Sequence, residues 1–195
     1  MRSIVLSALF LAPAPALAGG FGLLVGGGFH ADRVYSYTKE ANESYTRNDP
    51  ETQFNMNGGG GFEIVLGDRD NSVLGIFRGT YVTDAAQSVP EADDSENTFS
   101  NVRTTTRAIG EASAGLQWGV LGESDGKQLT VLTNLGSGLF TTDLTEYVKA
   151  DVGVGGTWML TSEVQLQGSV NGGFRYRKAF YPTVDATVGV RYLFD

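Results

Sequence analysis

Along most of its length the chain alternates apolar and polar residues one by one, the period of a β-strand with two unlike faces. The segment from 183 onward is the cleanest: Val184, Ala186, Val188, Val190, Tyr192 and Phe194 fall on one side, Asp185, Thr187, Gly189 and Arg191 on the other. Seven earlier segments repeat the pattern. The first, from Gly20, sets Phe21, Leu23, Val25 and Phe29 against glycines, Leu24 and His30; the second, from Gln53, sets Phe54, Met56, Phe62, Ile64 and Leu66 against Asn55, Asn57 and Glu63. The third places Val73, Phe77 and Tyr81 opposite Arg78. The fourth, from about Thr106 to Leu121, places Ala108, Ala112, Leu116 and Trp118 opposite Glu111, Ser113 and Gln117. Strands five to seven continue it, with Gln128, Thr130 and Asn134, then Lys149, Asp151 and Thr157, then Gln165, Gln167, Ser169, Asn171 and Arg175 as their polar faces.

The connections alternate in length. Those around Asp68, Asp125 and Thr161 are short turns, while Ala31 to Thr52 and Asp84 to about Arg103 are long and polar. Strands of about ten residues, even in number, with short turns at one end and long loops at the other, predict an all-β fold: a closed, antiparallel, up-and-down transmembrane barrel of eight strands.

Alternation alone does not say which face points outward, since a soluble barrel keeps its apolar face inside. The charges decide it. Glu63, Arg78, Glu111, Lys149, Asp151, Arg175, Asp185 and Arg191 all lie deep within strands on the polar face, four acids against four bases. A balanced set suits mutual pairing in a narrow lumen, because an unpaired buried charge is strongly destabilising. Glycines on the same face suit an interior only just wide enough for side chains. The other face is nearly free of charge and ends in aromatics at two levels. Phe21, Trp118, Trp158, Tyr192 and Phe194 stand at the short-turn end, and Phe29, Phe54, Tyr81, Phe174 and Tyr176 at the loop end. Two such girdles bracket the apolar band of a membrane barrel.

Composition narrows the setting. Glycine contributes 27 of 195 residues, roughly double the usual share of about 7%, and cysteine is absent, so no disulfide or cysteine-based metal site exists. A formal charge of −8 argues against nucleic acid as a partner. The first 18 residues, MRSIVLSALFLAPAPALA, read as an export signal: Arg2, an apolar run from Ile4 to Leu11, and Ala16-Leu17-Ala18 as the cleavage site. Residues 19–195 are then the barrel domain, working outside the cytoplasm.

The alternating, aromatic-tipped last strand resembles the C-terminal signal of bacterial outer-membrane β-barrel proteins, and the whole layout is similar to the small eight-stranded group that includes the OmpA transmembrane domain and OmpX-like proteins. That resemblance implies a cell outer-membrane location in a Gram-negative bacterium, contact with outer-membrane lipids and lipopolysaccharide, and recognition of the last strand by the barrel assembly machinery. Asp195 after Phe194 departs from the family pattern, which usually ends on the aromatic itself.

Little in the chain points to catalysis. His30 is the only histidine, at the loop end of strand one beside Asp32; outer-membrane lipid-modifying enzymes place a histidine near that rim, but no His-x-Ser pair or second catalytic residue accompanies it. The acidic run EADDSEN, Glu91 to Asn97, lacks the spacing and turn glycine of a calcium loop, and DRDNS, Asp68 to Ser72, reads as a hairpin turn. GGGG at 58–61 lies within a strand without the lysine or helix of a phosphate loop; it predicts close packing or a bulge. Tyr35, Tyr37 and Tyr45 in the first long loop suit a recognition surface or an upward extension of the strands. No cofactor, metal or catalytic residue is expected. The expected role is structural or surface-interacting, with a charge-plugged lumen and any extracellular ligand held at the long loops. The alternatives are a narrow pore for ions or small solutes and, third, a lipid-modifying enzyme.

Overall fold

The alternating segments become long strands because each offers one face to a nonpolar medium and one to a polar interior. In the computed structural model, which describes residues 18–194 apart from 35, 42–43, 50, 69–72, 85–86, 94–97, 106–107, 141–144 and 178, twelve strands are formed. Eight make the barrel: β1 (Gly19–Val34), β4 (Glu51–Leu66), β5 (Val73–Asp84), β8 (Ala108–Gly122), β9 (Lys127–Phe140), β10 (Thr145–Met159), β11 (Val164–Tyr176) and β12 (Phe180–Phe194). They close in the order β1-β12-β11-β10-β9-β8-β5-β4, and β4 returns to β1, every pair antiparallel. The last strand thus pairs with the first over twelve positions, from Gly19 with Phe194 to His30 with Thr183. No sheet edge is left in the wall, as a nonpolar solvent requires.

Burial is inverted relative to a soluble protein. Arg191 and Glu63 are 0% exposed, whereas Val188 is 59% and Leu135 63% exposed. The outward positions of the barrel strands are mostly aliphatic, aromatic, Ala and Gly, and the charged ones among the described residues, Lys127 and Glu146, sit at strand ends. An apolar surface this continuous is not that of a soluble monomer; it is the exterior of a membrane-spanning barrel. No helix among the described residues is long and apolar enough to cross a membrane, and the crossing is by strands.

The two long connections are not plain loops. The first carries β2 (Tyr37–Lys39) and β3 (Tyr45–Arg47), the second β6 (Gln87–Asp93) and β7 (Thr98–Thr105), and together they form a second sheet in the order β2-β3-β7-β6. The join is β3 to β7, with Tyr45 opposite Phe99 and Thr46 opposite Thr98. The first hairpin is tied by Asn48, whose Nδ2 donates to Ser36 Oγ at 3.0 Å and Thr38 Oγ1 at 3.1 Å. The reading of these stretches as loops, Ala31 to Thr52 and Asp84 to Arg103, is therefore corrected. β1 and β4 also reach further than expected, pairing up to Val34 and Glu51. Short strands of three residues carry too few alternations to stand out in sequence.

At the opposite end the turns are tight. Gly122 adopts φ 94° and Glu123 N donates to Lys127 O at 3.1 Å, closing the β8–β9 turn. Gly67 N donates to Ala18 O at 3.0 Å, which fixes the start of β1. Residues 1–17 of the 18-residue export signal lie outside the described residues, as do 69–72 of the DRDNS turn, 94–97 of the acidic run and Tyr35. A bulge does occur, but in β8 between Gly119 and Leu121 rather than at GGGG. It leaves Val120 and Leu121 both facing outward, 46% and 68% exposed. In β4 the glycines instead serve close approach: a Cβ at Gly59 would run into the Tyr81 carbonyl, and one at Gly61 into that of Gly79.

Inward glycines such as Gly115 should therefore be less tolerant than open outward ones such as Gly172. Gly115→Ala, whose Cβ would meet the Thr133 carbonyl, is expected to lower stability by about 1–3 kcal/mol. Gly172→Ala, with nothing within 4 Å, is expected to be near neutral. Urea titration of the folded, heat-shifted gel band for both variants checks this.

Candidate functional site: the charged lumen

The chemistry-bearing side chains meet inside the barrel because of where glycine stands. Gly22 lies in register between Glu63 on one neighbour and Arg191 on the other. With no side chain there, Arg191 lies across Gly22, its Cγ 3.1 Å from where a Cβ would be, and its Nε donates to Glu63 Oε1 at 2.5 Å. Gly138 plays the same part between Glu111 and Tyr147, and the Tyr147 hydroxyl crosses it to donate to Glu111. Groups two strands apart are thus brought into direct contact.

Two clusters result. In the inner one, nearer the short turns, Glu63 accepts from Arg78 Nε at 2.7 Å, from Arg191 Nε, and from Gln167 Nε2 at 2.7 Å. Arg191 spends its other nitrogens on Gln165 Oε1 at 3.1 Å and Gln117 Oε1 at 2.9 Å. One wholly buried carboxylate is therefore shared by two guanidiniums, and three glutamines from β8 and β11 complete the shell.

The outer cluster holds the other five charges. Glu111 accepts from Arg175 Nη2 at 2.8 Å and Lys149 Nζ at 3.3 Å. Lys149 also reaches Asp185 at 2.6 Å and Asp151 at 3.5 Å. Lys149 and Arg175 are direct cross-strand partners, a like-charge pair that would repel were Glu111 not between them. The Arg175 guanidinium also rests 4.9 Å from the Tyr147 ring centroid. Net charge is +1 in the inner cluster and −1 in the outer, so the two layers attract. Arg78 belongs to the first and also lines the cavity of the second.

Short polar side chains on the wall are seated the same way. Asp151 stands opposite Gly173, Asp185 opposite Gly28 and Asn134 opposite Gly115. In each case the Oδ1 lies 2.6 Å from where the glycine Cβ would be. What space remains is small: a cavity of about 70 Å³ lined by Asn57, Glu111, Asn134, Lys149, Asp151 and Arg175 among others. Above it Ile109, Phe140 and Tyr147 form a buried apolar cluster with Val82 packed against it. Its rings are 5.3 Å apart.

The structure groups Glu63 with Arg78 and Arg191, and Glu111 with Lys149, Asp151, Arg175 and Asp185. Gln117, Gln165, Gln167 and Tyr147 were not singled out from the sequence, although each shares the parity of the charged residues on its strand. His30 is 1% exposed with Nδ1 3.2 Å from Asn57 Nδ2, a placement that orients its ring against a neighbouring strand. No group of three metal-ligating side chains converges among the described residues. Of the expected girdle, Phe21 (47%), Phe54 (70%), Tyr81 (57%) and Trp158 (49%) are exposed on the outer wall, as are Phe29, Phe174, Tyr176, Tyr192 and Phe194. Trp118 is half-buried. Lys127 Nζ stands 4.6 Å over the Trp158 ring.

No protein-family model and no curated sequence matches the chain. Solved structures do. The crystal structure of Neisserial surface protein A (NspA) covers 90% of this chain and 97% of its own, with a TM-score of 0.51 at 10% identity. What they share is the fold. The crystal structure of Ail, the attachment invasion locus protein of Yersinia pestis, aligns over 90% of this chain and 99% of that one at 11% identity, with a TM-score of 0.33.

Removing a carboxylate that strands two bases should be worse than removing one that strands a single base. Glu63→Ala leaves two buried arginines without their carboxylate and is expected to cost about 3–5 kcal/mol. Glu111→Ala strands Arg175 and the Tyr147 hydroxyl but leaves Lys149 with Asp185 and Asp151, so it is expected to cost less. Equilibrium urea unfolding in lipid vesicles reads the order; equal costs would refute the shared-carboxylate account.

Proposed function

We propose that this chain is a non-enzymatic, integral protein of a Gram-negative outer membrane, exported with loss of residues 1–18. Its role is structural or surface-interacting, with a lumen closed by its own charges. The observation that carries this reading is the pairing of an exposed apolar wall with a lumen whose Glu63 and Arg191 are 0% exposed. A channel needs a continuous wet path. Here the remaining cavity of about 70 Å³ has room for only a few waters, and the inner cluster lies between it and the short-turn end.

Recognition, in this reading, belongs to the second sheet. Among the described residues β2 and β6 form the two ends of this sheet, and a sheet edge is a ready surface for adding a strand of another chain. Tyr37, Lys39, Tyr45 and Arg47 share one side of it through the pairs Tyr37–Arg47 and Lys39–Tyr45. Lipopolysaccharide and other outer-membrane lipids would surround the wall, and β12, which completes closure, would be the strand handed to the barrel assembly machinery.

Two measurements test the proposal. The mature protein from washed membranes is expected to need detergent for release and to migrate differently on gels with and without boiling. In planar bilayers it is expected to show no steady conductance. Steady single-channel currents that shift on Asp151→Asn or Arg175→Gln would establish the narrow pore instead, and release into plain buffer without a gel shift would remove the membrane assignment.

A further inference from the structure

The outer wall is not uniformly filled. At the short-turn end Lys127, Trp158 and Leu166 lie in one row across β9, β10 and β11, in register with one another. Two rows further into the apolar band stand Val131, Val154 and Val170. The row between them is Leu129, Gly156 and Gly168, two of the three without side chains, and the hollow left there is a groove of about 440 Å³. Gly156 is three residues from the end of β10, roughly 10 Å along the strand, within the ~15 Å of hydrocarbon that one leaflet supplies. The groove therefore belongs to the leaflet at the short turns and opens at that rim.

Its mouth carries charges in a fixed order. Lys127, the first residue of β9, is exposed and lines the groove. Its ammonium rests on the Trp158 ring and, among the described residues, forms no ion pair. The turn beyond it carries Asp125 and Glu123, both exposed, and Met159 N donates to Gly126 O at 2.8 Å, which ties that turn to the end of β10 beside the groove. From the hydrocarbon outward, a bound molecule meets an apolar trough, then a cation, then carboxylates. An acyl chain, a phosphate and a primary ammonium follow in that same order in a phosphoethanolamine lipid, each charge opposite to the one it faces. The outer-membrane reading above puts the second sheet outside the cell and the short turns on the periplasmic side, where the leaflet is phospholipid and not lipopolysaccharide. Resting on that reading, we propose that the groove holds one acyl chain of a periplasmic-leaflet phospholipid with a phosphoethanolamine headgroup, its phosphate at Lys127 and its ammonium at the turn of Glu123 and Asp125. The exposed Trp158 ring beside Lys127 suits the interfacial depth such a headgroup occupies.

Two glycines of β11 give a matched test. A Cβ at Gly168, inside the groove, would make only ordinary contacts at 3.7 Å, and one at Gly172, on the same face of the strand but outside the groove, would meet nothing within 4 Å. Gly168→Leu therefore fills the groove and Gly172→Leu adds the same bulk elsewhere, neither with a clash. Each protein is folded into vesicles of equal parts phosphatidylethanolamine, phosphatidylglycerol and phosphatidylcholine, extracted in mild detergent, and its retained lipid measured by mass spectrometry. The wild type and Gly172→Leu are expected to retain phosphatidylethanolamine preferentially, and Gly168→Leu to lose that preference. Lys127→Gln should lower retention of phospholipid about two- to fivefold, and the double variant Glu123→Gln, Asp125→Asn should retain lipid without preferring phosphatidylethanolamine. Lipopolysaccharide added to the vesicles should leave the retained phosphatidylethanolamine unchanged. Equal retention of the three lipids, preferred retention of phosphatidylglycerol, displacement by lipopolysaccharide, or a Gly168→Leu protein that keeps the wild-type preference would overturn the proposal while leaving the barrel intact. So would a cross-linked dimer abolished by Gly168→Leu, which would give the groove to a second copy. Failure of the wild type to show a heat-shifted, inserted form would instead remove the membrane reading, and the groove's role with it.

Discussion

The interior of an eight-stranded barrel is about one side chain wide, and that width governs the rest of this molecule. Eight inward faces cannot all carry long residues at the same level. Part of the solution is alternation between neighbours: at several positions where one strand sends in an arginine, tyrosine or aspartate, one adjacent strand has glycine. Gly22 under Arg191, Gly138 under Tyr147 and Gly173 beside Asp151 are three instances. The abundance of glycine is thus not looseness. It is the condition under which side chains two strands apart can meet.

Electrostatics follows from that geometry. Charges so deep in a wall facing lipid are stable only when paired and hydrogen-bonded, and here a single row supplies the partners: Arg78, Glu63, Gly22, Arg191 and Gln165 are in continuous register around the barrel. Placing the surplus positive charge in one layer and the surplus negative in the next lets each cluster offset the other. The apolar wall outside and the ionic rows inside are therefore coupled, because the same strand register sets both.

Most of this was legible in the chain. The period-two pattern located all eight barrel strands, and the parity of residues such as Glu63, Lys149 and Arg191 named their shared side, because a strand's alternation is a local property. Which of those residues touch was not legible, since contact depends on register between strands far apart in sequence; Glu63 and Arg191 are 128 positions apart. Gln117 and Tyr147 were passed over for a related reason: a glutamine or tyrosine on a polar face looks ordinary until its partner is known. The second sheet was missed because three-residue strands such as Tyr37–Lys39 are too short for any period to register, and because its central pairing joins two separate connections.

That pairing has a consequence for how the exposed surface can change over time. Loops on a barrel rim ordinarily drift in sequence one by one, each free of the others. Here β3 and β7 are paired in register at Tyr45–Phe99 and Thr46–Thr98, so a shortening or an insertion in either connection shifts the register of the other. The two segments form one inheritable surface, and variants that survive selection will have altered both halves together.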